Sequence, residues 1–183
     1  MTGWSQLASG VVVLLLCIGG IADAVVPEPI DLCTVASNAS QNAGQLVRVQ
    51  GWLAQWPHDL LLVSEGCPNA IVVVTFANNP LVKPPASFSM QEDRQLKRLR
   101  RYLRKGYDPG LLRATVEGRF DVAEFAGFLR SADGRLVDVQ GYGSPAPFTR
   151  FRLVLRAVED VTLVRNAPNL QAPEGLGPEY RTQ

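Results

Sequence analysis

The sequence predicts a mainly β domain: an OB-like five-stranded barrel with one amphipathic helix between strands 3 and 4 and an inserted hairpin before the last strand. Three observations predict it. Apolar residues alternate with polar ones, or run together with β-branched neighbours, over five separate segments. The period switches once, to helical spacing, between the third and fourth of these segments. Finally, Gly51 interrupts the first strand, as expected where a barrel strand bulges or bends sharply at a corner.

The first strand is read over Leu46–Ala54, with Val47, Val49 and Leu53 on one face and Arg48, Gln50 and Trp52 on the other. Trp56-Pro57-His58-Asp59 is a turn. The second strand is the apolar run Leu60–Val63, closed by Glu65-Gly66-Cys67-Pro68-Asn69, and the third is Ala70–Phe76, rich in β-branched residues. Ser89-Met90-Gln91-Glu92 then reads as a capping box, opening a helix that stops near Lys105-Gly106. Leu96, Leu99 and Leu103, helped by Tyr102, form its buried stripe. Leu112, Ala114, Val116, Gly118, Phe120 and Val122 alternate with Arg113, Thr115, Glu117, Arg119 and Asp121 in the fourth strand. Asp133-Gly134 signals a two-residue hairpin turn between 128–130 and 135–137. The Gly/Pro loop 141–147 leads to a fifth strand, in which Phe151, Leu153 and Leu155 alternate with arginines. An immunoglobulin-like sandwich needs more strands and no mid-chain helix, so it fits less well.

The domain layout follows. Residues 1–24 read as a signal peptide: an uncharged, apolar core ends in Ala22-Asp23-Ala24, a small-x-small cleavage pattern. No Lys or Arg precedes the core, which leaves an uncleaved anchor through residues 7–22 as the alternative. The apolar run of about 13 residues is shorter than the roughly 20 a spanning helix needs. Residues 25–44 are an irregular lead-in, 45–165 the barrel domain, and 166–183 a Pro- and Gly-rich disordered tail. The expected localisation is periplasmic or secreted, with membrane anchoring as the alternative.

Without the first 24 residues the net charge moves from +1 to about +2, too near neutrality for bulk electrostatic capture of nucleic acid. Two cysteines remain, Cys33 and Cys67, with no C-x-x-C spacing. In an oxidising compartment they should pair as a structural disulfide, pinning the lead-in onto the barrel.

Little in the sequence points to catalysis. His58 is the single histidine, so a zinc site, which draws on three or four ligands, is not expected, and neither is any cofactor. Ser64 and Asp59 lie near His58 in sequence, the minimal material for a small hydrolase, but no strained nucleophile turn accompanies them. Gly141-Tyr142-Gly143 is flanked by proline and lacks the helix that a phosphate-binding loop requires. The expectation is a non-catalytic binding module for an unknown small ligand or envelope protein. Its candidate ligand-binding residues are Trp52, Trp56, His58 and Tyr142. The helix is dense in cations, and Arg100, Arg101 and Arg104 are its candidate contacts with an anionic surface. The second strand lacks the stacking aromatics of single-strand nucleic-acid binders.

Three motifs carry a resemblance. Val47-Arg48-Val49-Gln50-Gly51-Trp52-Leu53, His58–Pro68 with its Cys67-Pro68 end, and Val116-Glu117-Gly118-Arg119-Phe120 resemble a group of small exported bacterial proteins of unassigned function with an OB-like barrel. Gly141-Tyr142-Gly143 and Phe151–Arg156 fit the region around the last strand of that group. Asp59 stands where the group has Gly, and Ser144 where it tends to carry a second His. The resemblance implies a fold and a compartment, not a reaction.

Overall fold

A computed structural model describes residues 28–56, 58–79, 88–104, 111–144, 146–164 and 179–182. The expected signal peptide, the helix end at Lys105-Gly106 and residues 166–178 of the expected tail lie outside these. The elements are β1 (Ile30–Asp31), α1 (Leu32–Ser37), α2 (Ala39–Asn42), β2 (Leu46–Gln55), β3 (Leu60–Ser64), β4 (Cys67–Phe76) and α3 (Arg94–Arg104). They continue with β5 (Leu111–Val122), β6 (Gly127–Arg130), β7 (Leu136–Gln140), β8 (Phe151–Val164) and β9 (Glu179–Thr182).

The barrel closes through β2–β3–β4–β8–β5 and back to β2. All its pairings are antiparallel except β4 with β8, which run parallel. This is the strand order of an OB barrel. β2 makes closure possible by serving two neighbours. Leu46–Leu53 pairs with β5 and Trp52–Gln55 with β3, so the strand must bend where the partners change. Gly51 sits there facing inward, and a Cβ on it would lie 2.8 Å from Leu62 Cδ1 and 2.9 Å from the Val63 carbonyl. The expected corner is present without a bulge.

Inward positions of all five strands merge into one core, including Val47, Val49, Leu62, Val72, Val116, Phe120, Leu153 and Leu155. Phe120 stacks on Phe151, ring centroids 5.5 Å apart. Two helices add to this core. α3 contributes Leu96 and Leu99, both fully buried, with Tyr102 and Leu103 packed alongside. Its start differs from the capping-box expectation: Asp93, not Ser89, caps the helix, its Oδ1 accepting from Leu96 N at 2.8 Å. Ser89–Gln91 stay non-helical because the Gln91 N–H is donated to the Arg156 carbonyl of β8 at 2.7 Å.

The lead-in is not irregular. α1 buries Leu32 and Val35, and Asp31 caps it by accepting from Cys33 N at 3.0 Å. Six residues are too few to display helical periodicity, but Leu32, Val35 and Ala36 do fall on one face. Cys33 and Cys67 are bonded, tying α1 to the start of β4.

The inserted hairpin is present as β6 and β7, but its turn is longer than two residues. Gly134 N–H donates to the Ser131 carbonyl, Ser131 N–H to the Arg135 carbonyl, and Gly134 has φ +82°. That is a type I turn followed by a left-handed glycine, the three-residue hairpin solution. β9 adds in parallel to β6, so this part of the expected disordered tail is a strand in a small sheet ordered β7–β6–β9.

One residue in the barrel is strained. Asp160 holds φ 53° inside β8, where the register against β5 slips between Arg113 and Thr115. Left-handed backbone costs an L-residue about 1–2 kcal/mol. Asp160→Gly is therefore expected to stabilise the domain by up to about 1 kcal/mol, and Asp160→Val to cost at least that much. Urea midpoints check it; a valine tolerated as well as glycine would contradict this account.

Candidate functional site

OB barrels use the outer face of their second and third strands, with the flanking loops, to bind ligands. Here those strands are β3 and β4, and their outward side chains Leu61, Ile71 and Val73 are buried rather than open. They form a second apolar cluster with Ala54, Val63, Tyr142 and Phe148. The chain's own loop between β7 and β8 therefore lies over the face. Several bonds hold it there. The Thr149 hydroxyl donates to the Ile71 carbonyl, and Ser144 N–H donates to Asp59 Oδ2 at 2.7 Å. Tyr142 and Thr149 bridge each other through their backbones. Gly143, at φ +118°, is required, because a Cβ there would run into the Phe148 ring.

Charges brace the same loop from the barrel wall. Asp121 accepts four N–H bonds, two from Arg119 (2.7 and 3.0 Å) and two from Arg152 (3.1 and 2.6 Å). Burial opposes its ionisation, but the bonds from Arg119 and then Arg152 outweigh burial and hold the carboxyl below the usual range. The Arg152 guanidinium also lies 4.5 Å from the Tyr142 ring centroid. Burial pushes the Tyr142 phenol up, with Arg152 partly opposing it.

An open, polar cleft of about 260 Å³ lies elsewhere on the barrel surface, lined by Asp31, Gln50, Gly51, Trp52, Ser64, Glu65 and Arg113. The outward alternation of β2 supplies Gln50 and Trp52, β5 supplies Arg113, the end of β3 and its turn supply Ser64 and Glu65, and β1 supplies Asp31. The site is internally organised: Trp52 Nε1 donates to Glu65 Oε1 at 2.9 Å, and an Arg113 nitrogen donates to Gln50 Oε1 at 3.1 Å. These bonds fix the indole and the guanidinium while using one of the guanidinium's five donors. The cleft thus offers an aromatic ring, two carboxylates, a hydroxyl, an amide and a cation.

The sequence-predicted residues separate. Trp52 lines the cleft. Trp56 is 39% exposed, and its N–H closes the turn on the Asp59 carbonyl. His58 is exposed in that turn, and among the described residues no hydrogen bond joins it to Ser64 or Asp59, which serve the cleft and the covering loop respectively. Tyr142 belongs to that loop. Arg100 is committed to Glu92 at 2.8 Å and lies over the Phe76 ring, whereas Arg101 and Arg104 are exposed. Sequence reasoning missed Asp31, Gln50, Ser64, Glu65 and Arg113 as a site. They come from four strands and a turn, and the alternation shows outward parity for Gln50 and Trp52 in one strand and for Arg113 in another, but not that they meet. Among the described residues, no group of three or more His, Cys, Asp or Glu could hold a metal ion, and no helix is long and apolar enough to cross a membrane.

Fold and site together define a disulfide-bonded, OB-type barrel with its β3–β4 face covered by its own loop and an open cleft around Trp52. Comparison with protein-family models, curated proteins and solved structures gives no match.

Proposed function

We propose that this chain is an exported, non-catalytic binding module of the bacterial envelope that takes a small, hydroxyl-rich ligand in the cleft beside Trp52. The observation that carries this reading is the convergence of Trp52, Glu65, Asp31, Gln50 and Arg113 on one open cleft. An indole face suits the apolar face of a sugar ring, and carboxylates with an amide and a guanidinium suit its hydroxyls. The covered β3–β4 face supports looking to this cleft rather than to the place where relatives of the fold bind. Export is supported by the disulfide, by the apolar N-terminal run with its small-x-small end, and by the motif resemblance to small exported bacterial proteins.

The test is a fluorescence titration with a panel of envelope-type oligosaccharides. Arg113→Ala is expected to weaken binding at least about tenfold, the loss of roughly one charge-assisted hydrogen bond, and Trp52→Phe to remove the signal change. Saturable binding left intact by both substitutions would place the ligand elsewhere and sink the reading.

A further inference from the structure

We propose that the outer face of α3 adsorbs the domain onto an anionic lipid surface, an activity separate from the Trp52 cleft. The helix Arg94–Arg104 carries six cations and no acid. Arg94, Lys97, Arg101 and Arg104 follow i, i+3, i+7, i+10 spacing and fall within about 80° of arc around the helix axis. All four are exposed, and Arg98 borders them. Leu96 and Leu99 point the opposite way, into the barrel core. The row is therefore held rigidly outward by the same packing that plugs the barrel.

The nearby acids do not neutralise the row. Asp93 caps the helix and Glu92 is paired with Arg100 on its flank, so these two carboxylates stand against six cations and leave the segment strongly positive. Among the described residues, no carboxylate pairs with Arg94, Lys97, Arg101 or Arg104. Lys97 with Arg101, and Arg94 with Arg98, are like-charged i, i+4 neighbours, an arrangement that costs helix stability. Folding gains nothing from that repulsion, whereas an extended sheet of negative charge would turn it into attraction.

The shape of the row selects the partner. Four cations along one straight helix lie in a plane and can engage a flat array of phosphates together. The row presents no aromatic side chain on which a base could stack, so single-stranded nucleic acid is the poorer complement. Nor does it present an apolar side chain for insertion, so the contact is peripheral and salt-sensitive. The uncharged run at residues 7–22 of the same chain is suited to hold the domain near a bilayer wherever it is retained.

Co-sedimentation of the full chain with vesicles tests this, comparing pure phosphatidylcholine with vesicles containing about one-third phosphatidylglycerol. Binding is expected to favour the anionic vesicles, to fall with added salt, and to weaken by about fivefold for each cation removed from the row. The double variant Lys97→Gln/Arg101→Gln should lose most of the anionic preference while melting no lower than the parent, since it removes a like-charged i, i+4 pair from the helix. Arg135→Glu, remote on the hairpin, should keep the preference. Equal binding to both vesicle types, an unchanged double variant, or an equal loss in Arg135→Glu would each overturn the proposal. So would anion-selective binding to single-stranded RNA with none to the vesicles.

Discussion

Replacing Cys33 and Cys67 with serine is expected to cost the domain about 3–4 kcal/mol, the entropy of an open loop closed across a separation of 34 residues. For a chain of this size that lowers the melting temperature by about 10 °C. The loss should be uneven. The barrel strands are joined edge to edge around a closed ring, whereas α1 is held by Leu32, Val35, the Asp31 cap and the two residue pairs of β1. Reduction should therefore raise amide exchange first in 30–37 and leave β2, β5 and β8 protected. A functional consequence comes with it. Asp31 stands two residues before Cys33 and lines the Trp52 cleft, so the disulfide fixes one of its walls. The serine variant should bind the cleft's ligand more weakly than the oxidised parent, even at temperatures where both are folded. Equal melting temperatures with and without reductant would show that the bond constrains nothing.

What could be read in advance followed the reach of each signal. The alternation of Leu112–Val122 fixes its own inward face, and Leu96, Leu99 and Leu103 fix the buried side of α3, because periodicity is local. Gly51 could be placed at a corner because a strand turning between two partners has no room for a Cβ there. Ser89 satisfies a local capping pattern, but Gln91 answers to a carbonyl 65 positions away in sequence, on β8, and the helix starts later. β9 was invisible for the same reason, since its partner β6 is distant and its four residues carry no pattern of their own. Tyr142 and Phe148 lie over Leu61, Ile71 and Val73, which need a cover. The uninterrupted apolar runs of β3 and β4 held that information: a strand apolar at every position has both faces buried.

Asp121→Ala is the substitution expected to disturb that cover most. The carboxylate is 13% exposed and lies between Arg119 and Arg152, which are 20% and 21% exposed. Removing it leaves two poorly solvated guanidiniums facing each other, for which a loss of about 3 kcal/mol is expected. Asn at the same position keeps the shape and one acceptor, so it should lose less. The pH dependence has a definite sign. Asp121 is held below its ordinary 3.8 when folded, so its contribution is fully present above the unfolded value and disappears as pH falls through the lower folded one. The gap in stability between parent and Asp121→Ala should thus be constant from neutrality down to about pH 5 and begin to narrow below about pH 4. Tyr142 titrates in the opposite sense: its raised phenol favours the folded state below pH 10 and loses that advantage as pH climbs beyond it. Because Arg152 is bonded to Asp121 and stacked over Tyr142, the two groups are mechanically joined, and Asp121→Ala should bring the Tyr142 phenol back toward its ordinary value. Denaturant melts at pH 7 and 3, with spectroscopic titration of the tyrosines, measure both effects. A stability gap that stays the same at pH 3 would show that the carboxylate's charge does not brace the loop, and that the apolar contacts of Tyr142 and Phe148 hold it alone.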